Sequence, residues 1–257
     1  MPAPTAAAAL RALRTASSPE RARSSAWFFK TAPGQYGYGD KFLGLTVPAL
    51  RRIAKQFRDL SVDELAKLLA SPWHEARSAA LEILVLQYET ARKQGDQKRA
   101  ASLVRFYLAH RNRINNWDLV DGSAPYLLGD HLLGRSDRAI LYRLARSKQL
   151  WERRIAMVSC LALIRARSFD DPLQIAELLL GDQHDLMHKA VGWMLREVGK
   201  QAPEALTGFL DRHAERMPRT ALRYAIERMS EVERRRYMAM APKQRAIRPR
   251  PSTRSKP

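Results

Sequence analysis

The sequence predicts an all-α protein, a HEAT-like helical-repeat solenoid (an α-α superhelix) with a concave basic groove. Three observations support this fold class. Residues 60–240 give almost no strand signal, and apolar residues recur there at the i, i+3, i+4 spacing of amphipathic helices. The helix starts fall into pairs that repeat about every 35 residues. Basic residues recur near the start of the second helix of several pairs.

Capping residues and prolines mark the paired helices. Ser61 and Glu64 have the spacing of a capping box, and Ser71 precedes Pro72 at the start of a longer helix. We expect first helices to begin near residues 61, 97, 136, 171 and 203, and second helices near 72, 115, 150, 185 and 218. The alternative is an irregular helical bundle whose spacing is coincidental.

The second helices share a weak pattern in which a basic residue precedes small or apolar core positions. It occurs in EARSAALEILV from Glu75, WERRIAMVSCL from Trp151, LMHKAVGWMLR from Leu186 and MPRTALRYAIE from Met217. Because successive second helices line one wall of such a solenoid, cations recurring there predict a groove that binds phosphates.

The charge balance also favours a polyanionic partner. The 257 residues include 45 Lys and Arg against 26 Asp and Glu, a formal net charge of +19. A single cysteine, Cys160, excludes a disulfide scaffold and a cysteine-rich metal site and fits a reducing compartment. No apolar run approaches the roughly 18 residues of a membrane span. We therefore expect a cytoplasmic protein with no membrane partner.

The two ends differ in composition from the body. Residues 1–25 are rich in Ala, Arg and Ser and predict a disordered leader, with a transit peptide as the alternative. Residues 241–257 carry six basic residues and no acid, and predict a disordered basic tail. Residues 26–240 are expected to form one repeat domain, which still carries a net positive charge. Its glycines at 34, 37 and 39 are interpreted as a structural turn, because no strand precedes them.

One candidate site surrounds Trp117 and Asp121. These residues stand at i and i+4 and therefore share a helix face. An indole beside a carboxylate is unusual on an exposed wall. From the spacing alone, a core tryptophan beside a solvated or helix-capping acid remains open and is the simpler interpretation.

Two later second helices add further candidates. Trp193 and Arg196 stand at i and i+3, and either Arg153 or Arg154 could face the groove. Two aromatic residues and several cations on one wall form a stronger pattern than any one of them. His184 and His188 have the i, i+4 spacing of a helical metal pair but no evident third ligand, so no metal site is predicted.

At these residues the chain resembles the AlkD-type DNA glycosylases of the DNA alkylation repair family. The resemblance covers roughly residues 26–240 and rests on four segments together: KTAPGQYGYGDKFLGLTVPALRR (30–52), NNWDLVDGSAPYLLGD (115–130), WERRIAMV (151–158) and KAVGWMLREVGK (189–200). It implies a superhelix of HEAT-like repeats that cups duplex DNA. It also implies hydrolysis of the N-glycosidic bond of N3- and N7-alkylated purines, without metal or organic cofactor and without full base flipping.

The resemblance implies a role for each matching residue. Asp121 matches the catalytic carboxylate, and Trp117 and Trp193 match two aromatic residues that flank the deoxyribose of the lesion. Arg154 matches a groove arginine near the lesion, and Arg196 one that contacts the DNA backbone. The other DNA-binding candidates are Arg153, Lys189, and Phe28 or Trp27, where the best-studied members have a tyrosine.

The expected function is therefore excision of alkylated bases from double-stranded DNA by a monomeric glycosylase that associates with the nucleoid. Two alternatives remain. One is a non-catalytic HEAT-like protein that recognises branched or damaged DNA by its shape, and the other is a protein-interaction solenoid.

Overall fold

The computed structural model describes residues 3–240, and within them every regular element is a helix. Its fourteen α-helices are α1 (Ala6–Thr15), α2 (Pro19–Phe28), α3 (Val47–Gln56), α4 (Val62–Leu69), α5 (His74–Lys93), α6 (Gln97–Ala109), α7 (Trp117–Asp121), α8 (Ala139–Ala145), α9 (Leu150–Arg165), α10 (Asp170–Leu178), α11 (Asp185–Gln201), α12 (Pro203–His213), α13 (Arg219–Ala225) and α14 (Glu231–Met240). The predicted all-α solenoid is confirmed.

Five helix pairs follow one another as the sequence predicts, from α4 and α5 to α12 and α13. The second helices α5, α7, α9, α11 and α13 contact one another in that order. Each first helix packs against the second helix of its own pair or of the preceding pair. The second helices therefore form one continuous wall of the solenoid.

The second helix of the second pair is interrupted. Helix α7 has five residues, and the chain then turns through a π-helical segment, Pro125–Gly129. Pro125 has no N–H to donate to a helical ladder. Gly129 lies so close to α9 that a Cβ on it would stand 2.4 Å from the Ser159 carbonyl oxygen. The interruption leaves Trp117 and Asp121 on one short helix, with Asn116 accepting a hydrogen bond from the Trp117 N–H.

The prediction of a disordered leader over residues 1–25 was wrong for the part that forms α1 and most of α2. Ala6, Ala9 and Leu13 lie on one face of α1 and are buried, and Leu13 is fully buried. The Ala6 N–H donates to the Glu64 carboxylate at 2.6 Å, so α4 binds the free amide end of α1. These contacts with the repeat core give a short Ala-rich helix stability that its own sequence does not supply. The predicted tail, residues 241–257, lies outside the described residues.

The Gly-rich segment between α2 and α3 is a loop that hydrogen bonds and close packing hold in place. The buried Glu75 carboxylate accepts hydrogen bonds from the N–H groups of Leu43 and Gly44 at 2.8 and 2.7 Å. Gly37 packs on the end of α2, where a Cβ would lie 2.2 Å from the Phe29 carbonyl oxygen. The loop is thereby held against α2 and α5, beside α7.

In residues 3–240 no helix has the length and apolar character needed to cross a membrane.

Candidate active site

A cavity of about 470 Å³ lies where α2, the Gly-rich loop and the second helices α7, α9, α11 and α13 meet. It collects seven of the nine site residues predicted from the sequence: Phe28, Trp117, Asp121, Arg154, Lys189, Trp193 and Arg196. Lys30, Tyr36, Leu186 and Tyr224 complete the lining. Residues as far apart in the sequence as Phe28 and Tyr224 thus meet at one place.

Asp121 is held by Arg154 in a two-point ion pair. Arg154 Nε lies 2.9 Å from Asp121 Oδ1, and Nη2 lies 2.7 Å from Oδ2. The third arginine nitrogen, Nη1, donates to the Leu186 carbonyl oxygen at 2.5 Å, so the guanidinium joins α7 to α11. Such a fork fixes the orientation of the carboxylate as well as its charge.

Burial raises the pKa of Asp121 above its ordinary value, although the charge and hydrogen bonds of Arg154 oppose the rise. The arginine side chain is only 5% exposed, whereas that of Asp121 is 20% exposed. The carboxylate is therefore the member of the pair that a molecule in the cavity can reach.

Both cavity tryptophans are half-buried. Trp117 stacks on Phe29, with ring centroids 5.3 Å apart, and meets Phe28 edge to face at 5.9 Å. Trp193 follows Gly192, where a Cβ would stand 2.4 Å from the Ala221 carbonyl oxygen. The glycine lets α11 approach α13 closely, which fixes the backbone from which Trp193 projects. Both indoles pack on the protein and still line the cavity, so neither is wholly a core residue.

Two predicted site residues do not line the cavity. Arg153 points to the other side of α9, where its Nε contacts Asp182 Oδ2 at 2.6 Å and its Nη1 donates to the carbonyl oxygens of Ser147 and Lys148. Trp27 is 84% exposed, and its neighbour Phe28 occupies the cavity wall instead. The sequence left open whether Arg153 or Arg154, and whether Phe28 or Trp27, belongs to the site. In the structure Arg154 and Phe28 line the cavity.

The cavity cations on α9 and α11 each have an acidic partner. Beside the Asp121–Arg154 pair, Lys189 Nζ contacts Asp185 Oδ2 at 2.7 Å. Arg196 is paired with Glu227, which follows α13. A phosphate that bound Lys189 or Arg196 would have to compete with these carboxylates.

Tyr36 and Lys30 were not predicted as site residues. The Gly-rich loop brings Tyr36 beside Trp151, edge to face at 6.2 Å. Burial raises the pKa of Tyr36, and a polar contact with the Trp117 side chain opposes that rise. The glycines of this segment predicted a turn. They could not predict that the turn places the side chains of Tyr36 and Lys30 in the cavity.

A buried charged network supports α7 from behind. His74 Nε2 donates to Asp118 Oδ2 at 2.7 Å, and Nδ1 donates to Asp40 Oδ2 at 3.2 Å. Burial alone would lower the pKa of His74, but the hydrogen bonds to both carboxylates outweigh it and raise the pKa to about 9. His74 also packs against Phe29, with ring centroids 4.9 Å apart, and Phe29 in turn stacks on Trp117. Histidine 74 is thus charged at neutral pH and holds the helix that carries Trp117 and Asp121.

The two helical histidines have structural roles. His184 accepts the Leu186 N–H at the start of α11, and His188 Nε2 donates to the Asp182 carbonyl oxygen at 2.5 Å. Across residues 3–240, no group of His, Cys, Asp and Glu side chains is arranged to hold a metal ion.

A larger cavity, of about 950 Å³, lies near the C-terminal ends of α5 and α9. Its Asp130 is bound by the Tyr88 hydroxyl at 2.8 Å and by Arg92 Nε at 3.1 Å. Of the two aromatic residues in its lining, Tyr88 is almost wholly buried and only Tyr126 is exposed, so Asp130 does not lie between two accessible aromatic faces. The smaller cavity brings together most of the site residues that the sequence predicts.

Comparison with known proteins agrees with the fold. A family model described as "DNA alkylation repair enzyme" matches residues 9–229. A solved structure described as "Predicted DNA alkylation repair enzyme from Enterococcus faecalis" superposes with a TM-score of 0.63 over 84% of this chain and 97% of its own, at 15% sequence identity. At that identity the structural likeness shows a common fold. No curated protein matches the chain.

Proposed function

Since the chain belongs to the DNA alkylation repair enzyme family and so has a role in alkylation repair, we propose that it is a DNA glycosylase. Its substrate is duplex DNA that contains cationic N3- or N7-alkylated purines, and it hydrolyses their N-glycosidic bond as a monomer acting on nucleoid DNA. One observation carries the proposal: an accessible carboxylate, Asp121, fixed by Arg154 in a cavity that Trp117 and Trp193 also line.

The reaction needs little help at the base. An alkylated purine already carries a positive charge, so the electron pair of the broken bond neutralises the base as it leaves. Positive charge then develops on the sugar, as in the oxocarbenium-like transition state of glycoside hydrolysis. Water adds to the sugar carbon C1′ and loses a proton. The protein therefore has to stabilise a cation on the sugar and place a water molecule.

Asp121 supplies the negative charge for both tasks. Preorganised groups contribute most where charge develops, and the fork of Arg154 preorganises this carboxylate. The negative faces of Trp117 and Trp193 attract the same cationic sugar. Because the leaving base needs no protonation, the site needs no deep base pocket, and we propose that the base stays largely stacked in the duplex.

Release of free bases tests the proposal. Purified protein incubated with methylated duplex DNA should release 7-methylguanine or 3-methyladenine, measured by chromatography of the free bases. A duplex that contains neutral hypoxanthine is the matched control and should release nothing, since that base lacks leaving-group activation. Failure to release either methylated base under conditions where the protein binds the duplex would contradict the proposal.

One observation favours a second candidate, a non-catalytic protein that recognises damaged or branched DNA by shape. Arg154 bonds both oxygens of Asp121, which would also suit a purely structural ion pair. This candidate predicts tighter binding to branched or alkylated DNA than to plain duplex, with no base released in single-turnover assays.

A further inference from the structure

Lys30 differs from the other cations of the cavity. It lines the cavity, yet across residues 3–240 it makes no ion pair with an acidic side chain. By contrast, Arg154, Lys189 and Arg196 each have a carboxylate partner. The Lys30 ammonium is thus the cavity cation with no internal partner among the described residues, ready to meet an anion from outside.

The backbone at Lys30 makes a lysine unexpected there. Its φ is +53°, in the left-handed region, at the position just after the C-cap of α2. Glycine is usual at this position because a side chain with a Cβ is strained there. The conformation is held by the Gly37 N–H, which donates to the Lys30 carbonyl oxygen at 3.2 Å. A glycine would fit this turn better, so the lysine side chain itself needs an explanation.

Arg167 provides the comparison that separates strain from function. It is the other non-glycine residue with positive φ in the described chain, at +59°, and it also follows the C-cap of a helix, α9. It too is exposed. Unlike Lys30 it does not line the cavity, since it follows the end of α9 opposite to Arg154, about 20 Å further along at a rise of about 1.5 Å per residue. A basic residue in this conformation can therefore occur without a site, and the cavity is what distinguishes Lys30.

We propose that Lys30 is a phosphate anchor, binding a phosphodiester of the strand whose nucleotide occupies the cavity. An ammonium is a compact point charge suited to a single phosphate oxygen. Lys30 has no carboxylate to displace, so it makes this contact without breaking an ion pair. It follows α2 in the chain, next to Phe28 and before the Gly-rich loop, whereas Lys189 and Arg196 lie on α11. Residues from two separate parts of the chain would then hold the DNA backbone, Lys30 after α2 and Lys189 and Arg196 on α11.

The inference rests on the proposed function for the identity of the DNA, and its test uses three variants of the full chain. Lys30→Gly removes the charge and the strain, Lys30→Arg keeps a cation, and Arg167→Gly is the matched control. Both glycine variants should raise the thermal midpoint by about 2–4 °C, because each relieves a left-handed residue. This result shows that any loss of binding is not a loss of folding.

Binding to undamaged duplex at several salt concentrations gives the decisive reading. Lys30→Gly should flatten the slope of log K against log salt by about 0.9, the effect of one lost phosphate contact. Lys30→Arg and Arg167→Gly should keep the wild-type slope. An unchanged slope for Lys30→Gly, or an equal loss for Arg167→Gly, overturns the anchor.

Excision separates the anchor from the proposed function. If wild-type protein releases 7-methylguanine and Lys30→Gly binds with the wild-type slope, the anchor alone is wrong. If wild-type protein releases no base but Lys30→Gly flattens the slope, the anchor stands and the glycosylase proposal fails. With both correct, Lys30→Gly should need more protein for half-maximal excision while its rate at saturation changes less than about twofold, the pattern of a lost binding contact.

Discussion

Asp121 combines a charge that the reaction needs with burial that works against that charge. Burial raises the pKa of its carboxyl group, and Arg154 opposes the rise. The residue must be ionised to stabilise a sugar cation. In acid the alkylated base keeps its positive charge, so it adds no titration of its own there.

Excision should therefore decline in acid sooner than an ordinary aspartate would predict. As pH falls through the raised pKa of Asp121, the carboxylate is protonated and the single-turnover rate drops. The decline should begin above the ordinary Asp value of about 3.9. Rates corrected for spontaneous depurination, with circular dichroism at each pH, provide the measurement. A rate that stays level down to that value in a folded protein would contradict the role of Asp121.

Arg196, which we propose contacts the DNA backbone, has an acidic neighbour that should lower its affinity for DNA. Its guanidinium is paired with the exposed Glu227. Glu227→Gln should leave Arg196 with only the more distant Glu197, 3.8 Å from its Nε, and raise affinity for duplex several-fold at low salt, since a carboxylate that repels DNA also disappears. Glu231→Gln is the control, because Glu231 pairs with Arg235 on α14 and does not line the cavity. Equal gains in both variants would show a general charge effect and not release of Arg196.

At the scale of the helices, α1 is part of the folded domain and not an appendage. Leu13→Ala should lower the free energy of unfolding by about 2–4 kcal/mol, because a fully buried leucine leaves a cavity. Arg11→Ala, on the exposed face of the same helix, should change it by less than about 0.5 kcal/mol. Urea denaturation of the two variants measures both values. Equal stability of both with wild type would mean that α1 is not packed as described.

The buried His74 that holds α7 should make the free energy of unfolding depend on pH. The folded pKa of His74 is about 9, above its ordinary value of 6.5, so its contribution is fully present below pH 6.5 and is lost as pH rises through 9. Wild-type stability in urea should therefore fall between pH 6.5 and 9.5, and His74→Gln should show a smaller fall. Three other histidines have a lowered pKa and therefore change charge at a lower pH than this interval: His131, His184 and His213. Parallel curves for the two proteins would contradict a charged His74.

For the whole molecule, periodicity and caps predicted the five helix pairs, because each pair repeats the same local signals. Spacing placed Trp117 and Asp121 on one helix face, but the family resemblance was needed to predict that they share a site with Trp193 on α11, beyond the intervening α9. Other features depend on contacts between distant residues. Helix α1 needs Glu64, and the Asp121–Arg154 pair joins residues 33 apart. Lys30 and Tyr36 reach the cavity only through a loop whose path the glycines do not specify.

The central claim is that the charge of Asp121 performs the chemistry. Asp121→Asn keeps the shape and one acceptor for Arg154 but removes the charge. Asp182→Asn is the matched control, since Asp182 is a buried acid paired with Arg153, the residue before Arg154, outside the cavity. Both substitutions weaken an ion pair with an arginine of α9, but only Asp121 lines the cavity.

Single-turnover excision of 7-methylguanine from duplex DNA, at saturating enzyme, is the most direct measurement. The account predicts a loss of about 10²-fold or more for Asp121→Asn, the scale of one preorganised electrostatic group. It also predicts duplex affinity equal to or above wild type for that variant, and a near-wild-type rate for Asp182→Asn. A folded Asp121→Asn protein that excises at the wild-type rate would contradict it.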